Sequence, residues 1–127
     1  MTSAELRYLI AINELYDGTK GIKLTAIAER MGVTKVSVFR AAERLELDGC
    51  IQRDAKNKVV ITKYGYEQLE KYNVLIGWLS GHLERNCKVP ADIARHDATG
   101  AVCAFSVESI DALTDFIARE RKKQHDR

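Results

Sequence analysis

Basic and hydroxyl side chains are concentrated between positions 34 and 58, in a pattern suited to binding a polyanion. Four apolar residues in the first part recur every three or four positions, as on the buried side of a helix: Val38, Ala41, Ala42 and Leu45. The other side carries hydroxyl, basic and aromatic residues: Thr34, Lys35, Ser37, Phe39, Arg40 and Arg44. Arginine can pair with a guanine edge or clamp a phosphate, and hydroxyl groups at a helix N-terminus suit phosphate oxygens. This side of the helix is therefore predicted to bind nucleic acid.

The next segment, residues 50–61, has a different periodicity. It begins with a short apolar stretch, continues through a polar Asp-Ala-Lys-Asn turn, and ends in the β-branched run Val-Val-Ile. This pattern predicts a β-hairpin. We expect its tip to carry Arg53, Lys56 and Lys58, where they could contact backbone phosphates beside a groove.

Helical periodicity and capping residues predict the elements that position these side chains. We expect a first helix over 4–16 capped by Ser3, a short second helix capped by Thr25 and ending at Gly32, and a third over 34–47 capped by Thr34. After the hairpin come a long helix over 63–86, a fifth over 91–104 and a sixth capped by Ser106. Two helices joined by a glycine turn and followed by a hairpin indicate a mainly α fold with an N-terminal winged helix-turn-helix.

Composition bounds the classes of protein to consider. The chain has 127 residues, of which 46% are hydrophobic and 30% charged, so it should fold as a soluble globule. It carries 20 basic and 18 acidic residues, and the first 63 positions hold 11 and 8 of these, a basic bias that permits nucleic-acid binding. No apolar run approaches a membrane span, the N-terminus does not resemble a signal peptide, and three scattered cysteines predict a reducing, cytoplasmic location.

Four segments in this order resemble the DtxR/MntR-type iron- and manganese-dependent transcriptional repressors: RYLIAINEL, TAIAERMGVTKVSVFRAAERLELDG, VVITKYGYEQLEKY and ADIARHDATGAVCAFSVESIDAL. The resemblance implies a winged-helix DNA-binding domain, here 1–63, and a helical dimerisation domain, here 64–127, as in the shorter members. It also implies a homodimer that binds double-stranded DNA. Long apolar stripes in the second half independently favour a dimer, because they exceed what a small monomer is expected to cover.

The resemblance also implies a manganese or iron site, but most of its ligands are missing from this chain. The family's metal positions correspond to Arg7, Ile10, Tyr72, Thr99, Val102 and Cys103. Among these only Cys103 is a metal ligand by its chemistry, whereas such a cation needs several carboxylates and imidazoles. We therefore expect no metal at the family site and assign no cofactor.

Two interpretations of this loss stay open. In the first, the regulator has lost metal control and Arg7 partly replaces the cation, with Asp97 or another carboxylate as its partner. In the second, a non-standard metal or thiol site uses His96 and Cys103. These two residues are seven positions apart, about 10 Å along a helix, which one tetrahedral ion cannot readily span. His82 and Cys87 are more often surface residues near a helix end.

Other classes of function have little support in the sequence. No nucleophile–histidine pattern, phosphate-binding glycine loop or HExxH motif occurs, so an enzyme is not expected. The competing alternative is a winged helix used for protein or RNA contacts.

Two aromatic residues have alternative roles. Trp78 is expected to fill the core or a dimer interface. Phe39 has two equal interpretations, contact with a thymine methyl group or packing onto the wing, which is the hairpin over 50–61.

Overall fold

The computed structural model describes residues 1–18 and 21–126 of the chain. These residues form six helices and one two-stranded antiparallel sheet. The elements follow the order α1 (Ser3–Leu15), α2 (Leu24–Met31), α3 (Lys35–Leu47), β1 (Ile51–Arg53), β2 (Val59–Ile61), α4 (Lys63–Cys87), α5 (Ala91–Ala104) and α6 (Val107–His125). The mainly helical class and the single hairpin that the sequence predicts are confirmed.

The chain divides into two compact units, Met1–Leu69 and Glu70–Arg127. The first contains the three N-terminal helices and the hairpin, and the second contains α5, α6 and most of α4. The assignment of DNA binding to one part of the chain and of dimerisation to the other stays a prediction. In the described part of the chain, no helix has the length and apolar character needed to cross a lipid bilayer.

The core of the first unit lies where α1 packs against α2, α3 and β2, and where α3 packs against β1. Each element contributes fully buried side chains, among them Leu6, Leu9, Ile27, Val38, Leu45, Ile51 and Val59. The central place of α1 explains why it is apolar on two sides. Burial of these side chains orients α3, because its apolar stripe can face the core in only one way.

The start of α1 differs from the sequence prediction. The N-cap is Thr2, whose Oγ1 accepts a hydrogen bond from the backbone N–H of Glu5 at 3.1 Å. The carboxylate of Glu5 in turn accepts one from the Thr2 N–H at 3.3 Å. This reciprocal pair is a capping box, which requires Glu or Gln three residues after the cap. Ser3 was the wrong choice because Leu6 occupies that position relative to it.

The start of α2 also differs from the prediction. Its N-cap is Lys23, which makes no side-chain capping bond, and Thr25 lies within the first turn. Ile22 exchanges two backbone hydrogen bonds with Val59, each 2.8 Å long, which hold the chain extended up to Lys23. The helix can therefore begin directly after this bridge. It ends as predicted at Gly32, whose φ of 66° lies in the left-handed region.

The hairpin and the start of α4 are closely packed. Ile51 pairs with Ile61 and Arg53 with Val59 in the antiparallel register. The Thr62 hydroxyl accepts the Gly65 N–H at 3.0 Å, as expected for the cap of α4. A Cβ atom on Gly65 would lie 2.1 Å from the carbonyl oxygen of Cys50, so only glycine permits this approach.

The second unit buries one side of each of its helices. The buried residues include Tyr72, Leu75 and Ile76 of α4, Ala94, Ala98 and Val102 of α5, and Ile110 and Ile117 of α6. Ser106 caps α6 as predicted, since its hydroxyl accepts the Ser109 N–H at 3.3 Å. An ion pair joins Lys71 of α4 to Asp111 of α6.

Candidate nucleic-acid interface

α3 begins with the side-chain cap that the sequence predicts. The Oγ1 of Thr34 accepts a hydrogen bond from the backbone N–H of Ser37 at 3.1 Å. The Thr34 hydroxyl lies 3.0 Å from the Ser37 hydroxyl and donates to it. Both side chains are exposed at the positive end of the helix dipole. This end of α3 therefore offers hydroxyl groups and a favourable field to an approaching anion.

The two sides of α3 differ in burial, as the sequence predicts. The apolar stripe is buried, whereas the predicted binding residues on this helix are all exposed: Thr34, Lys35, Ser37, Phe39, Arg40 and Arg44. Arg40 lies near the middle of the exposed side. Within the described part of the chain, its guanidinium makes no hydrogen bond or ion pair. It can therefore bind a ligand without first breaking a contact with the described residues.

Arg44 differs from Arg40 because it has an internal partner. Its Nε lies 3.6 Å from a carboxylate oxygen of Glu5, which is largely buried. The pair links the first turn of α1 to the last turn of α3. Half of the Arg44 side chain is still exposed. Its predicted contact with a ligand therefore competes with a structural ion pair.

The turn of the hairpin is built around Asp54. One of its carboxylate oxygens accepts the backbone N–H of Lys56 at 2.8 Å and that of Lys58 at 2.9 Å. The hydrogen bond from Lys58, assisted by that from Lys56, holds the pKa of Asp54 below its usual range. Asn57 adopts a left-handed φ of 60°, which asparagine tolerates better than most residues. The turn thus presents an exposed Lys56 and a half-buried Lys58 on an ordered backbone.

Arg53 is not at the tip of the hairpin, where the sequence analysis placed it, but at the end of β1. Its guanidinium donates to the Glu46 carboxylate at 2.9 Å, and Glu46 also accepts the Arg53 backbone N–H at 3.2 Å. The side-chain hydrogen bond lowers the pKa of Glu46 and raises that of Arg53. The same guanidinium lies over the Phe39 ring, 5.1 Å from its centre. Arg53 thus contacts α3 directly.

Packing places a third lysine, Lys23, beside the hairpin turn, and the sequence analysis missed this residue. The bridge between Ile22 and Val59 aligns the start of α2 with the second strand. A notch of about 320 Å³ results, lined by Lys23, Leu24, Thr25, Lys56, Asn57 and Lys58. No local pattern could have indicated it, because Lys23 and Lys58 are 35 positions apart and meet only through the bridge.

Two further residues of α3 line its exposed side and were missed as candidates. Val36 is 61% exposed, and Glu43 is exposed as well. They lie four positions before and three positions after Arg40, so all three share one side of the helix. Helical spacing from Arg40 was the signal that could have identified them.

The positions corresponding to the metal ligands of the resembling family do not fit a divalent cation. In the first unit, Arg7 is exposed and Ile10 is half-buried. In the second unit, Tyr72 and Val102 are buried, and the Thr99 hydroxyl donates to the Arg95 carbonyl at 2.8 Å. Val102 has no donor atom, and the Thr99 hydroxyl already serves its own helix.

The alternative metal candidates do not assemble either. His96 and Asp97 are exposed on α5, and Cys103 is half-buried. His82 is hydrogen-bonded to Asn86 at 2.8 Å. Among residues 1–18 and 21–126, no group of three or more His, Cys, Asp or Glu side chains is close enough to hold a metal ion.

Trp78 packs against a neighbouring side chain, and Cys50 is buried in the core. The half-buried Trp78 ring packs edge-on against His82, with ring centres 4.8 Å apart. Burial raises the pKa of the Cys50 thiol, with a smaller contribution from Asp48. A thiol of this kind is a poor nucleophile and a poor metal ligand.

Two solved structures share this fold. The hypothetical protein SSo2273 from Sulfolobus solfataricus has a TM-score of 0.72 at 23% identity, and the match covers 94% of this chain and 91% of that one. The manganese regulator SloR has a TM-score of 0.71 at 23% identity, with 93% of this chain covered. This chain spans 55% of the length of SloR.

These likenesses show a common fold and not a common activity, because the sequence identities are low. Neither a protein-family model nor a curated protein sequence matches the chain. The SloR likeness supports the winged-helix fold that the sequence analysis inferred.

Proposed function

We propose that this chain is a sequence-specific, DNA-binding transcriptional regulator that acts through binding and not through catalysis. The observation that carries the proposal is Arg40, which is exposed on the outer side of a capped helix and has no partner among the described residues. A lysine-bearing hairpin follows that helix. A helix of this kind fits the major groove of DNA, where arginine can form two hydrogen bonds with guanine. The fold shared with SloR, a manganese regulator, adds support.

The charged residues of the first unit divide into two proposed roles. Arg40 reads a base, because its position and freedom allow it to enter the groove. Lys56, Lys58 and Lys23 contact phosphates, which adds affinity without sequence preference. Arg44 and Arg53 mainly position α3 and the hairpin, since each already has a carboxylate partner.

The proposed DNA-binding form is a homodimer. The second unit exposes four large apolar side chains, Ile93, Phe105, Val107 and Phe116. A two-fold dimer that buries such residues would place two recognition helices about 34 Å apart, or a multiple of it, to match successive turns of DNA. Sedimentation at micromolar concentration should show a dimer, and Phe116→Asp should shift it toward monomer. Monomer alone in the parent protein would contradict this assignment.

The proposed regulator works without manganese or iron. SloR is a manganese regulator, but the residues of this chain at the family's metal positions do not suit such an ion, as described above. The runner-up is a metal- or thiol-responsive regulator that uses Cys103, with His96 as a second donor. A transition metal bound at one equivalent per chain, and lost in Cys103→Ser, would favour the runner-up.

A DNA-binding experiment with matched variants tests the proposal. Arg40→Ala should weaken binding to a preferred duplex by about 1–3 kcal/mol while leaving an unrelated duplex little changed. Lys56→Ala and Lys58→Ala should weaken binding to both duplexes by the same factor. Each should also reduce the slope of log affinity against log salt concentration by about one. Lys122→Ala removes the same charge from the second unit and serves as the control. If none of these variants changes DNA affinity, the proposal is wrong.

A winged helix that binds protein is the second candidate function. It is favoured by the apolar side chains exposed on α3, of which Leu47 is 87% exposed. DNA binding through phosphates weakens steeply with salt, whereas apolar protein contacts do not. The salt dependence of binding to the preferred duplex therefore separates the two candidates.

A further inference from the structure

The exposed side of α3 carries an apolar groove beside its basic residues. The groove has a volume of about 560 Å³ and is lined by Leu24, Thr25, Lys35, Val36, Phe39, Arg40 and Glu43. Its walls are mainly carbon, supplied by Val36, Phe39 and Leu24. Single exposed apolar residues are common on protein surfaces and need no explanation. Here they form one continuous surface on the helix proposed to enter DNA.

One wall of the groove is held in place by the hairpin. Phe39 is 41% exposed, and its ring lies under the Arg53 guanidinium at 5.1 Å. Arg53 is itself held by the Glu46 carboxylate at 2.9 Å. The Phe39 ring is therefore supported from the wing side, while its remaining surface borders the groove. Contact with the wing and contact with a ligand are compatible for this residue.

The charges around the groove identify what it can accept. Lys35 and Arg40 attract DNA, but Glu43 lies in the same groove and would repel a phosphate. The amino group of a base meets no such repulsion, since a carboxylate can accept a hydrogen bond from cytosine N4. The groove is thus suited to the floor of the major groove and not to the DNA backbone.

We infer that Val36 and Phe39 read the 5-methyl group of thymine in the major groove, beside the base that Arg40 contacts. This inference rests on the proposed DNA-binding function and specifies its base preference. The thymine methyl is the apolar group that protrudes into the major groove, and apolar side chains are its usual contacts. Its burial between Val36 and Phe39 removes carbon surface from water, which is the source of the preference.

Replacement of thymine by uracil tests the inference, because uracil keeps the base pair and lacks only the methyl group. The probe is the duplex that the protein prefers in a binding-site selection, synthesised with thymine or with uracil at each position in turn. At a contacted position, uracil should weaken binding about fourfold, the equivalent of ~0.8 kcal/mol for one buried carbon. In Val36→Ala combined with Phe39→Ala, the ratio between the two duplexes should fall below about twofold.

Leu47→Ala is the matched control, because Leu47 is an exposed apolar residue of α3 that does not line the groove. It should retain the full preference for thymine over uracil. Equal affinity of the parent protein for all thymine and uracil duplexes would overturn the inference while leaving the proposed function intact. The same holds if the double variant weakens both duplexes but preserves their ratio. If the parent protein selects no duplex at all, the proposed function itself fails, and the inference falls with it.

Discussion

The guanidinium carbon of Arg53 lies 5.1 Å from the centre of the Phe39 ring, so the end of β1 covers part of the exposed side of α3. The same guanidinium is hydrogen-bonded to Glu46, which lies two turns of α3 after Phe39 on nearly the same side of the helix. The hairpin and the helix are thereby joined by two contacts from a single residue. Arg53 therefore helps to hold the hairpin against α3, together with the buried Ile51 and Val59.

Loss of the Arg53 contacts should destabilise the first unit. Arg53→Ala removes the stacking on Phe39, which is worth about 0.5–1 kcal/mol at a partly exposed site. Arg53→Lys should recover only part of this, because an ammonium group lacks the planar shape that stacks on a ring. Urea unfolding followed by circular dichroism measures both variants. Arg40→Ala is the control, because Arg40 has no partner in the described part of the chain, and its stability should lie within about 0.5 kcal/mol of the parent protein. Parent-like stability of Arg53→Ala would contradict the contact.

The Glu46–Arg53 pair should make stability depend on pH on the acidic side. The pKa of Glu46 is lower in the folded chain than in the unfolded one, so the unfolded state binds more protons at mildly acidic pH. The pair therefore stabilises the fold above the unfolded pKa, about 4.3, and this stability is lost as the pH falls through the lower folded value. Glu46→Gln should be less stable than the parent protein at neutral pH and equally stable in strong acid.

Denaturant unfolding over a pH series checks this prediction. Arg53→Ala provides the matched background, because it removes the hydrogen-bond partner of the Glu46 carboxylate. In that background the stability difference caused by Glu46→Gln should stay nearly constant with pH. A constant difference for Glu46→Gln in the parent protein as well would show that the pair does not stabilise the fold.

Two glycines of α4 should respond oppositely to alanine. Gly65→Ala forces a Cβ atom to within 2.1 Å of the Cys50 carbonyl oxygen, and the overpacking should cost about 1–3 kcal/mol. Gly77→Ala places its Cβ where no described atom beyond its chain neighbours and its own helix backbone lies within 4 Å, and it should stabilise the helix by about 0.5–1 kcal/mol. Thermal unfolding of the two variants gives the comparison. Equal effects at both positions would contradict the close approach of α4 to the Cys50 carbonyl.

Metal removal should have little effect on DNA binding. Buried Val102 supplies no donor atom, and Arg7 cannot be deprotonated to accept a metal. We predict that a strong chelator changes affinity for the preferred duplex less than about twofold, within ~0.4 kcal/mol. Fluorescence anisotropy with and without chelator, followed by addition of manganese or ferrous iron, measures this. A steep dependence on either metal would contradict the prediction.

The parts of the fold that sequence periodicity could predict are those fixed by local pattern. The α3 stripe from Val38 to Leu45 and the Thr34 cap depend on residues three or four positions apart, and both were predicted. The start of α1 was also encoded locally, in the Thr2 and Glu5 capping box, but the hydroxyl of Ser3 competed with it as a candidate. The two candidate caps can be distinguished only by the residue three positions later, which is Glu5 for Thr2 and Leu6 for Ser3.

The parts that could not be predicted depend on contacts between distant positions. The Ile22–Val59 bridge sets where α2 begins and brings Lys23 to the hairpin turn, although the two bridge residues are 37 positions apart. The contact between Arg53 and Glu46 likewise requires the register of the hairpin against α3. Charge alone therefore grouped Arg53 with the binding lysines, whereas packing assigns it a positioning role.

Binding-site selection from random duplexes tests the central claim most directly, that Arg40 on the exposed side of α3 reads DNA sequence. The parent protein should enrich a motif with two half-sites spaced about 10 base pairs or a multiple apart. Arg40→Ala should lose the enrichment at one position of each half-site, whereas Lys122→Ala should recover the parent motif. Failure of the parent protein to enrich any sequence, or an unchanged motif with Arg40→Ala, would contradict the claim.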